Sequence, residues 1–399
     1  MGNLGVGIIG SGFMGRTYAE TISKFCPQAE VKAVTGGSRA RQLADDYAID
    51  LESSVDALAA RDDVSAVFIT TPHHLHGQQA LAAARQGKHV MIEKPMACTV
   101  ADCDAIVEAC EKAGVCCSVA FTQRSRKCNR RAKEIVDAGR IGPIRQIMDW
   151  QLLVGGLAAF PQWQSDRDNL GILFGHAIHN FDRIRWLTGA EIATVYAKCT
   201  SLEPEVPVEG TSMLLMTLTD GTAVTLWSSG QMPKPGFPRT QFACWIVGEK
   251  GLIDLDAYGE LRVSGDGQWK VLQTQEPIDW QGKGFLDPVR LESYAKHCRD
   301  FFDATAAGRP APVTGWDGRQ AVAAALAAYE SSRTGKEIVL AIHDDGNGFD
   351  LEQIKGKGGL GLVSMEERGR MSNGSFSVTS EPGKGTSVEV RIPWSVSGS

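Results

Sequence analysis

The chain has 399 residues, of which 43% are hydrophobic and 22% charged. That suffices for two or three domains with cores of their own and excludes disorder as the main state. Lys+Arg is 41 against Asp+Glu 47, a net charge of −6, so the basic face a nucleic-acid binder needs is missing, and no apolar run reaches the ~18 residues of a membrane helix.

In chain order, LGVGII at 4–9 predicts a strand, followed by a glycine cluster and a helix over 16–25. A strand is expected over 30–34 and a helix over 40–47. Further strands are expected over 66–70, 89–92 and 115–121, with helices over 78–86 and 100–112 between them. Strands alternating with helices imply βαβ units and a parallel sheet, and their continuous apolar runs suit a sheet covered on both faces. The pattern changes near residue 122. Helices over 131–138 and 179–187 precede β-rich runs at 195–200, 212–218, 223–228, 242–247 and 261–264. Asp220-Gly221, Glu249-Lys250-Gly251 and Gly265-Asp266-Gly267 read as hairpin turns. Segment 230–240, rich in Pro and Gly, reads as a surface loop. Helices over 291–307 and 318–334 follow, the second Ala-rich and expected to return to the first domain. A glycine-rich, charged region ends in a strand over 386–392. The expected organisation is an α/β domain over 1–122, an α+β domain with an open, mainly antiparallel sheet over 123–340, and a short α/β segment over 341–399.

Ten cysteines, none in a C-x-x-C pair, and an amino-terminal stretch without a charged n-region predict reduced thiols in the cytoplasm and no export signal.

Gly10-Ser11-Gly12-Phe13-Met14-Gly15 is G-x-G-x-x-G between a strand and a helix. In that context the first glycine permits the tight turn, the second lets backbone approach a pyrophosphate, and the third lets helix and sheet pack closely. The first domain is therefore expected to be a Rossmann domain. An NAD site usually carries an acid after the second strand, but here Thr35-Gly36-Gly37-Ser38-Arg39 follows, with no acid until Asp45. Ser38 can donate to a 2′-phosphate and Arg39 or Arg41 can supply charge, which favours NADP over NAD. Glu93-Lys94-Pro95 ends a strand at the edge where open α/β sheets bind ligands, and a partly buried lysine there can relay protons. His73, His74 and His76 lie close in sequence, but no paired ligands at helical spacing support a metal site.

These stretches, with TTPHHLHGQQALAAARQGKHVMIEKPMA, HAIHNFDRIRWLTGAE and AAYESSRTGKEIVL, make residues 4–340 resemble the Gfo/Idh/MocA oxidoreductases. The resemblance implies NAD(P)-dependent redox chemistry on sugars or polyols and a homo-oligomer formed through the open sheet. It implies a pyrophosphate loop at Gly10, Gly12 and Gly15, with Phe13 and Met14 between them. Thr71, Pro72 and His76 match the loop flanking the nicotinamide, Glu93 a cofactor-contacting acid, and Lys94 the catalytic lysine. His179 matches the catalytic histidine and Asp182 the acid one turn later. Where the family often has Asp four residues before that histidine, this chain has Gly175, with His176 beside it. His176 replaces the carboxylate, or the substrate departs from a simple polyol. A nicotinamide-dependent glycoside-cleaving activity and a non-catalytic cofactor-binding sensor are the alternatives. Arg124 and Trp163 are weaker substrate candidates. Residues 344–393 resemble the C-terminal half of a sensor histidine-kinase ATPase domain, with Asp344 in the adenine-binding position. The helix that should carry its Mg-binding Asn is missing upstream, so no ATP hydrolysis is expected.

Overall fold

In the computed structural model, residues 3–155, 171–203, 208–237, 242–265, 267–340, 342–344, 375–380 and 386–391 are described. The first layer is built from β1 (Leu4–Ile9), α1 (Phe13–Phe25), β2 (Ala29–Thr35), α2 (Ala40–Tyr47), β3 (Asp50–Leu51), α3 (Val55–Ala59), β4 (Ala66–Ile69), α4 (His76–Arg85), β5 (His89–Ile92), α5 (Val100–Ala113) and β6 (Cys117–Val119). Its sheet runs β3-β2-β1-β4-β5-β6, and every pair is parallel. The strands β1, β4 and β5 are buried almost throughout, as their unbroken apolar runs require. The strand order reverses beside β1, which makes the carboxyl edge of this sheet a ligand crevice.

The second layer contains α6 (Lys127–Asp137), β7 (Ile144–Val154), α7 (Ile172–Gly175), α8 (Ile178–Thr188), β8 (Ile192–Thr200), β9 (Thr211–Leu218), β10 (Ala223–Met232), β11 (Ala243–Gly248), β12 (Leu252–Asp256), β13 (Glu260–Gly265) and β14 (Gln268–Thr274). With β15 (Ile338–Val339) they form a nine-stranded sheet, β14-β13-β12-β11-β7-β10-β9-β8-β15. It is antiparallel except for β10 against β7. Strand β9 alternates buried and exposed residues, so one face is covered and the other open. The open face is apolar in a continuous row. Trp245, Met148, Thr225, Leu215 and Tyr196 are successive cross-strand neighbours, and the four large residues among them are about half exposed.

Two long helices join the layers. Helix α9 (Pro288–Ala306) packs on the Rossmann sheet, where Phe301 and Phe302 meet Phe68, and Arg299 donates to Phe25 O at 3.0 Å. Helix α10 (Gly315–Thr334) packs on β8, α8 and α5 and starts with a capping box between Thr314 and Asp317. Both the helix over 291–307 and the one over 318–334 therefore reach the first layer.

One strand was not anticipated and one expectation needs correction. Strand β7 carries no expectation from the sequence, yet it pairs with both β10 and β11 at the centre of the sheet. Segment 230–240 is not loop throughout, because β10 continues to Met232. A separate three-stranded sheet, β16-β18-β17, is formed by β16 (Ile342–Asp344), β17 (Ser375–Ser380) and β18 (Thr386–Arg391). Among the described residues, no helix is long and apolar enough to cross a membrane.

Candidate active site

Parallel strands bring the loops after β1, β2, β4, β5 and β6 to one edge. After β1, Gly10 has φ +106°, and a Cβ on it would stand 2.8 Å from Thr70 Oγ1. A Cβ on Gly15 would stand 2.0 Å from Gly10 O, so only glycine lets α1 approach this closely. Beside Gly12 there is space: the nearest atom to an added Cβ is Arg39 Nη2 at 3.9 Å. Gly12 caps α1 without a side-chain bond, which leaves the first-turn N–H groups of Phe13 and Met14 for an anion. The local geometry thus fits a pyrophosphate. Ser38 and Arg39 are exposed after β2, and the Arg39 N–H donates to Ser11 Oγ at 3.2 Å. The cation after β2 is therefore tethered beside the glycine loop.

After β4, Thr71 Oγ1 donates to Gln79 Oε1 at 2.6 Å, and Pro72 precedes a 3-10 turn over His73–Leu75. His76 starts α4 and is fully buried. Its Nδ1 lies 2.8 Å from Pro95 O and its Nε2 2.8 Å from Thr71 O. A neutral ring donates to one of these carbonyls, and burial holds it neutral against the pull of both. His76 therefore ties the β4 loop to the β5 loop and has no ring nitrogen left for a ligand.

After β5, Glu93 is buried and accepts from Tyr18 Oη at 2.7 Å and from the Lys94 N–H at 3.2 Å. Burial raises its pKa, opposed by Lys94 and the Tyr18 hydroxyl. Lys94 reaches out of the Rossmann layer, and its Nζ donates to Gly175 O at 2.7 Å, at the end of α7. Burial lowers the Lys94 pKa, and the adjoining Glu93 partly restores it.

The opposite wall is α7 and α8. Nine of the eleven residues of α8 are buried, so its polar side chains are answered within the protein or by a ligand. His179 sits between Phe121 and Phe242, with ring centroids 5.7 and 5.6 Å away. Its Nδ1 is buried without a hydrogen-bond partner. Burial pushes its pKa well below the histidine value, and the charge of Lys94 adds to the effect. His176 is pushed down to about 3 by burial and then by Lys94. Lys94, His176 and His179 therefore share one electrostatic environment.

Asp182 and Arg124 lie together but engage each other. Arg124 Nε donates to both Asp182 oxygens at 2.9 and 3.1 Å, and Arg124 Nη2 also reaches Asp317 at 2.8 Å. Asp317 is also the capping acid of α10 and pairs with Arg185 at 3.2 Å. Burial pushes Asp182 up to about 6 against the opposing pull of Arg124. Trp163 lies outside the described residues, as do most of the residues on which the kinase-like resemblance rests.

Sequence reasoning passed over Arg126. It follows the 3-10 turn after β6 and caps α6. Its guanidinium carbon lies 3.8 Å from the centroid of the Tyr258 ring. Buried arginine is an uncommon state, but one arginine among several in RSRKCNRR carries no mark of it.

The sequence profile described as "Oxidoreductase family, NAD-binding Rossmann fold" matches residues 4–121, and the "GFO/IDH/MocA C-terminal domain" profile matches 129–254. A profile for "Histidine kinase-, DNA gyrase B-, and HSP90-like ATPase" matches 319–396. That match begins inside α10, whose residues here pack on β8 and α8. The chain is 30% identical over 353 residues to inositol 2-dehydrogenase of Salmonella typhimurium, covering 84% of this chain and 96% of that one. It is 26% identical to myo-inositol 2-dehydrogenase of Thermotoga maritima, covering 84% and 98%. Levoglucosan dehydrogenase in complex with NADH and levoglucosan superposes with a TM-score of 0.73 at 25% identity, covering 84% and 99%.

Proposed function

The chain belongs to the GFO/IDH/MocA oxidoreductases, as an NAD(P)-dependent dehydrogenase acting on CH–OH groups, and from that premise we propose that it interconverts a hydroxyl and a ketone on a sugar or polyol, with Lys94 as proton relay. The observation that carries this reading is the bond from Lys94 Nζ to Gly175 O. It sets a lysine of the Rossmann edge among the histidines of the second layer, where a substrate would face both. A nicotinamide bound along this edge supplies the hydride acceptor or donor. Neutral Lys94 accepts the hydroxyl proton at Nζ, and its ammonium returns that proton in the reverse direction. His179, held neutral by burial, orients the hydroxyl by a hydrogen bond, with His176 one turn before it. Asp182 and Arg124 position α8 through their ion pair rather than touching substrate.

The relatives act, by name, on inositols and an anhydrosugar, which supports a cyclic polyhydroxylated substrate. The exposed Ser38 and Arg39, in place of an acid, support NADP as the preferred cofactor. Gly10, Gly12, Gly15, Phe13 and Met14 would hold the pyrophosphate, and Thr71, Pro72 and Glu93 line the nicotinamide end. The half-exposed apolar row on the open sheet face supports a homo-oligomer. Ten cysteines without a disulfide among the described residues support a reducing cytoplasm.

The test is Lys94→Ala, assayed on a panel of sugars and polyols by nicotinamide absorbance. Turnover is expected to fall by roughly 10³-fold or more, with NADP affinity within about threefold of wild type because the phosphate loop is untouched. Wild-type turnover in the variant would remove Lys94 from the chemistry.

A further inference from the structure

Four arginines are buried among the described residues: Arg126, Arg183, Arg185 and Arg290. Three of them have conventional answers. Arg183 donates to Asp149 and to Phe242 O, Arg185 to Glu191, and Arg290 to Phe285 O and Tyr294 Oη. Arg126 is 4% exposed, and its Nε and Nη1 are buried without a hydrogen-bond partner. Among the described residues no carboxylate pairs with it. Its guanidinium carbon lies over the Tyr258 ring, a contact that holds the group in place and leaves Nε and Nη1 unused. An unanswered buried cation is among the least favourable arrangements a fold can hold, and such a group asks for an explanation.

Its place in the fold points to the explanation. Arg126 follows β6 at the same sheet edge as Lys94. Tyr258 beneath it stacks with Phe242, whose ring abuts His179. Two further orphans lie along that chain. His179 Nδ1 is one, and the other is Oε1 of Gln123, whose amide donates to Tyr258 Oη at 3.2 Å. Arg126 is also among the charges that keep His179 neutral. Arg126, Gln123 Oε1 and His179 Nδ1 thus form one connected set of orphans on the substrate side of Lys94, while other orphaned atoms are dispersed through the second layer and α9.

We infer that Arg126 is a specificity residue that binds a carboxylate on the substrate, so that the natural substrate is a sugar acid rather than a neutral polyol. This rests on the dehydrogenase reading above. A single guanidinium clamped on an aromatic face matches a planar monoanion. A phosphate, with nearly twice the charge, would call for a second cation or a helix terminus beside it.

The test compares glucuronate and galacturonate with glucose, galactose and glucose 6-phosphate, using the full chain and NADP. Wild type is expected to favour the uronates by at least about tenfold in kcat/KM. Arg126→Gln should lower uronate kcat/KM by roughly 100-fold, mainly through KM, and change the neutral sugars less than about threefold. Arg126→Lys should recover part of the loss. Quenching of NADPH fluorescence by glucuronate reads binding apart from turnover, and a melting curve checks folding. If Arg126→Gln does not fold, Tyr258→Leu, which removes the platform, should raise the uronate KM in the same way. Preference for neutral sugars, unaffected by Arg126→Gln, would overturn the inference and leave the dehydrogenase reading standing. So would preference for the phosphate ester. Arg126-dependent binding of glucuronate without any turnover would keep the inference and defeat the dehydrogenase reading.

Discussion

At the Rossmann edge, Gly12 leaves room for a ligand against bare backbone, and Gly15 has no room for a Cβ at all. Across the cleft, α8 buries His179, Asp182, Arg183 and Arg185 within two turns. One wall would grip its ligand with main-chain N–H groups and a helix terminus. The other is made of ionisable side chains taken out of water. The difference matters for what each wall tolerates. A backbone cradle is neutral and costs little when empty. A side-chain wall has to balance its charges, and its carboxylates are each paired with a cation: Asp182 with Arg124, Asp149 with Arg183, Glu191 with Arg185. Against that regularity the unanswered Arg126 stands out, and it would pass unnoticed at a surface.

The contrast can be pressed hardest at Arg124–Asp182. Replacing Asp182 by Asn leaves a buried guanidinium with only part of its partners, and breaking such a pair costs about 3–5 kcal/mol. For a chain this size that lowers the melting temperature by roughly 10 °C. The comparable change at the exposed pair of Arg16 and Asp46, Asp46→Asn, should cost less than ~1 kcal/mol. Equal shifts in the two variants would mean that the α8 network is no more than surface decoration.

A smaller effect separates Lys94 from its neighbour. Glu93 raises the Lys94 pKa against burial. Removing its charge in Glu93→Gln lets burial dominate, so Lys94 loses its proton at lower pH. With Lys94 as the proposed relay, oxidation would need its neutral form, and the rate would rise with pH until the lysine is deprotonated. The rising limb of the kcat profile should therefore move to lower pH. A shift to higher pH, or none, would show that Lys94 is not the titrating relay.

How much of this was legible in the sequence follows the same division. Strands β1 and β5 lie where the apolar runs placed them and helix α2 where its composition did, and Gly10–Gly15 declares itself because its requirements are local. Helix α1 starts at Phe13 rather than near 16 because Gly12, not a polar cap, begins it. Strand β7 was missed because IRQIMDWQLLV mixes charge into its apolar positions. Asp149 is tolerated there only because Arg183, from α8, meets it. The roles of Arg124 and Arg126 were hidden for the same reason. Within RSRKCNRR nothing local tells which cation finds Asp182 and Asp317 and which finds Tyr258. Those partners arrive from α8, α10 and the turn after β12, and only the assembled fold sorts them.

The mildest test returns to the backbone wall. Arg39 is exposed and anchored beside the glycine loop through its own N–H rather than its guanidinium. Its side chain can therefore be removed without disturbing Gly10–Gly15. Arg39→Ala should weaken NADP by about fivefold, the ~1 kcal/mol scale of a solvent-exposed ion pair, and leave NAD nearly unchanged, because only the 2′-phosphate carries the charge it would answer. Fluorescence titration with both reduced cofactors reads the ratio directly. An equal loss for both would place Arg39 on the shared pyrophosphate instead, and any preference for NADP would then have to come from Ser38 or Arg41.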